Sequence, residues 1–313
     1  MANRAKITCV LLCTALACLT GSAMAGPAFT SDGKGGYTFD TGVVRGTLCA
    51  NGKSSGLTSV VHVPSGTRLD SGSGIFGYYR LLATDKRYGR MGWDLPGKSR
   101  LLPDGAVQIT LPEQEDRPFE LVAVYRWRDA STLDLETTIK AGADLARFEV
   151  FLASYCSESL PSPYICTQAD SGMPRFLLVQ KSHGDWLMFP RDQALAPMIR
   201  DGRWEKEPYP VNWTIMPEFQ LPLAFRRGGE SAPAVVVMAP REDCFAVSTP
   251  YQGESHYSLY LSLFGRDIKA GESPTARARL AVATARSDAD ILGMYGNYIK
   301  DLTDPARPRV AAP

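Results

Sequence analysis

Apolar and polar residues alternate in short runs along most of the chain, and turn residues separate the runs. The clearest run is Thr132-Leu133-Asp134-Leu135-Glu136-Thr137-Thr138-Ile139, whose period of two gives one buried and one polar face. Period-two or β-rich runs recur at 37–39, 43–49, 57–63, 75–82, 106–111, 119–127 and 147–155. Others follow at 175–180, 185–189, 221–225, 234–238, 244–249, 256–264 and 275–283. Asp32-Gly33, Asn51-Gly52, Ser65-Gly66, Asp104-Gly105, Ala141-Gly142, Asp201-Gly202 and Gly228-Gly229 punctuate them. So many antiparallel-looking strands, with no helical period between them, predict an all-β fold, a large sandwich or barrel. One stretch reads as helix. Ser287 can cap it with Asp290 at the capping-box position, and Ile291, Leu292, Tyr295, Tyr298 and Ile299 form its apolar stripe. Pro305 and Pro308 end it.

The first residues read as an address. Arg4 and Lys6 precede an apolar stretch at 7–20, and Ala23-Met24-Ala25 gives a small-x-small cleavage pattern. Residues 1–25 are therefore expected to be a signal peptide, and 26–313 one large β domain, periplasmic or secreted and soluble after cleavage. Cleavage before Cys18, as in a lipoprotein, would put the bulky Leu16 where a small residue is usual. No other apolar run is long enough to span a bilayer as a helix. Cys49, Cys156, Cys166 and Cys244 remain after cleavage, and they allow three full pairings. Cys156 and Cys166 are the expected disulfide, because they bracket a polar, proline-containing loop in an oxidising compartment. Closing so short a loop contributes about 2–3 kcal/mol. Cys49 and Cys244 lie in apolar runs and read as small buried hydrophobes.

Composition narrows the function. The 313 residues are 44% hydrophobic and 21% charged, which is globular. Lys+Arg 34 against Asp+Glu 33 gives a net charge of +1, with no clustered basic face to bind nucleic acid. The cysteines and histidines after residue 25 show no zinc-type spacing, and no metal or cofactor is expected. Residues 190–222 are rich in Pro, Arg and Trp and poor in pattern, which marks a long functional loop.

Near the end, Leu259-Tyr260-Leu261-Ser262-Leu263-Phe264 leads into Ile268-Lys269-Ala270-Gly271-Glu272. The alternating strand Thr275-Ala276-Arg277-Ala278-Arg279-Leu280-Ala281-Val282 follows. This resembles the hydrophobic-x-Pro-Gly-Glu turn and final strand of the galactose-mutarotase-like group, with Ala270 where Pro is usual. That group holds aldose epimerases and domains of polysaccharide-active enzymes. The resemblance implies a large antiparallel supersandwich with the amphipathic helix at its C-terminus, and a mono-, oligo- or polysaccharide as partner. It also implies acid–base chemistry, in which a His protonates the ring oxygen and a carboxylate takes the anomeric proton.

Among the three histidines, His183 sits at a tight turn beside Asp185 and Trp186, and His256 follows Glu254 by two residues. His183, Glu254 and His256 are the catalytic candidates, whereas His62 alternates with valines and reads as a sheet-face residue. Aromatic faces stack on pyranose rings, which makes Trp186, Trp204 and Trp213 candidate sugar contacts, with Arg203 beside them. Arg87, Tyr88, Arg90 and Trp93 form a second basic–aromatic segment, suited to a uronate carboxylate. A polysaccharide (uronate) lyase is the rival enzyme reading. A non-catalytic carbohydrate-binding protein and a structural envelope protein are the remaining ones.

Overall fold

The computed structural model describes residues 26–303, apart from 51, 53–54, 85, 230, 252–255 and 285–286. The expected signal peptide, Glu254 and the prolines after the helix lie outside the described residues. The described strands form three sheets, of five, nine and seven strands. Pairing is antiparallel apart from the short parallel contact of Thr214–Ile215 with Trp186–Pro190. The fold is thus an all-β sandwich with a C-terminal helix.

The nine-stranded sheet runs from the edge strand Pro174–Leu178 through Ser162–Gln168, Phe219–Arg227, Ala234–Met238 and Thr275–Ala283. It continues through Thr132–Ala141, Phe119–Trp127 and Val107–Leu111 to Lys98–Leu101. The seven-stranded sheet is ordered Thr214–Ile215, Trp186–Pro190, Cys244–Pro250, Ser258–Ile268, Leu145–Tyr155, Gly77–Ala83, Lys86–Arg87. The two sheets meet over one apolar core. Leu121, Ala123, Tyr125, Leu133, Leu135 and Ile139 enter it from the first sheet, and Val150, Leu152, Leu259, Leu261 and Leu263 from the second. Phe29, Phe39 and Leu48 of the N-terminal sheet join the same cluster.

Each large sheet is covered on its outer face as well. The helix Asp288–Thr303 packs Ile291, Tyr295 and Tyr298 onto Cys166, Leu223, Phe225 and Val236 of the nine-stranded sheet. Its capping box is present: Asp290 N donates to Ser287 Oγ at 3.2 Å, and Ser287 N donates to Asp290 Oδ2 at 3.0 Å. On the seven-stranded sheet, Phe151, Tyr155 and Tyr260 point away from the main core and meet a second cluster. A sheet buried on both faces needs apolar residues at consecutive positions, which is why 147–155 and 256–264 read as continuous apolar runs.

Two expectations are corrected. Ser162–Gln168, read from sequence as mostly loop, is a strand paired with both Pro174–Leu178 and Phe219–Arg227. The expected Cys156–Cys166 disulfide is absent; both are buried free thiols. Cys156 closes the strand Leu145–Tyr155 and packs in the main core. Ile165 faces that core, so its neighbour Cys166 turns to the opposite side, beneath the helix. Side chains on opposite faces of a sheet cannot reach a common bond.

Candidate functional site

The outer face of the seven-stranded sheet carries a cleft of about 690 Å³. Its floor is strand-borne: Tyr79 from Gly77–Ala83, Phe151 and Tyr155 from Leu145–Tyr155, and Tyr260 from Ser258–Ile268. Trp186 stands at the start of its strand, and Trp93, Trp204, Trp213 and His256 come from connecting segments. The indoles of Trp204, Trp213 and Trp186 meet edge to face. Trp204 lies 5.3 Å from Trp213 at 86°, and Trp213 lies 5.9 Å from Trp186 at 89°. Trp186 is 5.5 Å from His256, His256 is 5.9 Å from Tyr155, and Trp93 is 5.0 Å from Tyr79. The result is a continuous aromatic wall with Arg90, Asp94 and Ser73 among its polar lining.

Local chemistry fixes the loop-borne members. A Cβ on Gly92 would lie 2.4 Å from the carbonyl oxygen of Tyr78, so only glycine lets the Gly92–Asp94 turn press Trp93 against the strand. The segment between Pro190 and Thr214 is tied down by Arg203, whose guanidinium is fully buried. It donates to Glu149 Oε2 at 3.1 Å, to the Arg147 carbonyl at 2.9 Å, and through Nη2 to Asp201 Oδ2 at 2.8 Å. Glu149 also accepts from Ser262 Oγ at 2.9 Å. Burial pushes the Glu149 carboxyl up, and the Arg203 charge pulls it back. These bonds hold Trp204 over Phe151, the ring centres 4.7 Å apart.

Three arginines, Arg80, Arg87 and Arg90, gather on one side of the cleft, and Arg90 lines it. Arg80 lies between Tyr79 and Trp204, its guanidinium carbon 5.0 and 4.7 Å from the two ring centres. Arg87 donates to the carbonyls of Pro208 (2.7 Å) and Arg90, stitching the two loop segments together. Burial, and then the positive charges of Arg80 and Arg90, bring the Arg87 guanidinium down to about 10. Among the described residues, none of the three has a carboxylate within ion-pair distance.

Of the residues singled out from sequence, Arg90, Trp93, Trp186, Trp204, Trp213 and His256 line the cleft. Arg87 and Arg203 do not line it; they hold the backbone of its walls. Tyr88 turns into the main core, edge to face with Phe119 at 5.0 Å. His183 is also elsewhere: its Nδ1 accepts from Gln180 N at 3.1 Å within its own turn. The sequence reading passed over Tyr79, Phe151, Tyr155 and Tyr260. The available signal was a strand with apolar or aromatic residues on both faces, which means that something covers the second face. Among the described residues no group of three or more His, Cys, Asp or Glu could hold a metal ion, and no helix is long and apolar enough to cross a membrane.

No protein-family model matches this chain, and no curated protein matches it either. Solved structures do. A TPR-domain-containing protein of Parabacteroides distasonis is similar at a TM-score of 0.50 and 10% identity, over 88% of this chain and 50% of that one. An α-N-acetylgalactosaminidase of Bifidobacterium bifidum is similar at 0.49 and 11%, over 90% of this chain and 38% of that one. A candidate aldose 1-epimerase of Escherichia coli K12 is similar at 0.44 and 11%, over 82% and 99%. Aldose 1-epimerases are thus among the structures this chain resembles, as its final turn and strand led us to expect. At such identities the likeness is one of fold.

Proposed function

We propose that the aromatic cleft binds a pyranose glycan, and that this is an exported carbohydrate-active protein. One observation carries the reading. Trp93, Trp186, Trp204 and Trp213, far apart in sequence, converge on one sheet face around an open space of about 690 Å³. That volume suits a short saccharide, and the ring faces suit the apolar faces of pyranoses. Export rests on the order of basic, apolar and small-residue segments within residues 1–25.

His256 is the acid–base group of this reading, since it lines the cleft beside Tyr155 and Trp186. In the epimerase form, Glu254 is its partner carboxylate, as the resemblance implies. In the lyase form, Tyr155 and His256 exchange the protons of a β-elimination, and Arg90 offsets the charge of a uronate. The closeness of the Tyr155 and His256 rings, 5.9 Å, favours keeping this second form.

Proton NMR of the protein with mono- and oligosaccharides, uronates included, tests both forms. Accelerated anomeric exchange identifies the epimerase, and new alkene signals identify the lyase. His256→Gln should abolish either turnover while leaving binding within about threefold. Trp186→Ala should weaken glycan binding about tenfold, the loss expected when one stacking ring is removed. Line broadening without products would leave a binding protein. Silence across the panel, with Trp186→Ala changing nothing, would overturn the glycan reading.

A further inference from the structure

Arg80 has more hydrogen-bonding capacity than the protein uses. Its side chain is fully enclosed, the residue only 1% exposed. Nη2 donates to the carbonyl of Tyr209. Nε and Nη1 have no partner among the described residues. A buried unpaired donor on a charged group is costly, and structures keep few of them. Arg226, just as buried, donates through all three nitrogens to backbone carbonyls. Arg117, also 1% exposed, lacks a partner only at Nε, so two unpaired nitrogens set Arg80 apart from both.

The other orphaned donors nearby share its chemistry. Among the described residues, the indole Nε1 atoms of Trp204 and Trp213 are buried without partners, and so is Arg87 Nε. All of these atoms can donate and none can accept. Trp204 and Trp213 line the cleft, and Arg80 stacks against Trp204 and Tyr79, which also line it. The Arg80 guanidinium thus sits one side chain behind the wall. Tyr209, whose carbonyl it holds, is a cleft residue 57% exposed. Its φ of 61° is a left-handed conformation that a tyrosine adopts only when its surroundings impose it.

We propose that the free N–H groups of Arg80, with the indole N–H groups of Trp204 and Trp213, form a subsite for an anionic substituent of the glycan. That substituent is a carboxylate or a sulfate, reached as Tyr209 yields. The inference rests on the glycan reading above and adds the charge of the ligand. A group rich in acceptors and negatively charged answers the buried features around Arg80: donors without partners and a cation without a counter-ion among the described residues. A neutral sugar would leave the Arg80 charge uncompensated.

Calorimetric titration of the full chain distinguishes the cases. The probes are a galacturonate hexasaccharide beside its methyl ester, and a carrageenan hexasaccharide beside its desulfated form. One acid should bind at least tenfold more tightly than its neutral counterpart, and which acid does so tells carboxylate from sulfate. Arg80→Lys, which loses the planar fork, should reduce that advantage to about twofold and leave the neutral probe's affinity unchanged. If Arg80→Lys lowers the melting temperature so far that binding cannot be read, Trp204→Phe replaces it. That variant keeps an aromatic ring and removes one donor, and should weaken the anionic probe at least about threefold more than the neutral one. Equal affinity for charged and neutral probes would overturn the anionic subsite and leave the glycan cleft standing. No binding by any probe would overturn both.

Discussion

Asp243 shows how far one buried carboxyl can shape the stability of this sandwich. Its residue is 4% exposed, and burial raises its pKa from 3.8 to about 6. A bond from Arg277 N at 2.9 Å and the Arg277 guanidinium at 3.6 Å oppose that rise, and the neighbouring Glu242 reinforces it. The folded protein therefore holds this proton more tightly than the unfolded chain does. Stability should fall as pH rises from about 4 to about 6, by about 2–3 kcal/mol, and then level off. Asp243→Asn keeps an oxygen acceptor for Arg277 N and carries no charge at any pH. Urea unfolding followed from pH 4 to 7 should show the decline in the native protein and a flatter profile in the variant. Parallel profiles would mean that Asp243 titrates normally. Single residues also decided which candidates reach the cleft. Arg203 and Trp204 are adjacent in sequence, yet one is spent on Glu149 and Asp201 while the other forms the wall.

At the scale of elements, the segment after Pro190 is the one that makes a site out of a sheet face. It carries Trp204, Tyr209 and Trp213, and its grip on the sheet runs through the buried Arg203–Glu149 pair. Arg203→Met should destabilise the protein by about 3–5 kcal/mol, because Glu149 would be left buried without its counter-charge. Adding Glu149→Gln to that variant should restore part of the loss, and chemical denaturation of both proteins measures it. Additive losses would show that the two side chains do not act together. The proline, arginine and tryptophan content of this segment marked it as functional in the sequence, but only its anchor residues give it a place. The C-terminal helix is the opposite case. Ser287, Asp290 and the apolar stripe specify it locally, and the structure shows that cap and that buried face.

At the scale of the whole molecule, the sandwich separates Cys156 from Cys166 by placing them on opposite sides of one sheet. Burial pushes both thiols up to about 12, so neither should react with iodoacetamide at pH 8 while the protein is folded. Both should be alkylated after unfolding in denaturant without any reductant, as read by peptide mass spectrometry. A linked Cys156–Cys166 peptide would contradict this placement. The sequence by itself determined most of the strands, though not Ser162–Gln168, together with the turns between them and the terminal helix. Those depend on alternation, turn residues and caps within a few positions of one another, and local backbone preferences settle them. It also singled out the tryptophans that matter, because large aromatics outside a regular pattern have few structural uses. Tertiary structure decided the rest: which strands pair across long intervals, that the seven-stranded sheet is covered twice, and that Tyr79, Tyr155 and Tyr260 meet those tryptophans. It also decided that Arg80 is enclosed with donors to spare. Burial and partnership are properties of residues brought together from distant parts of the chain; a local apolar run shows that a face is covered, but not by which residues.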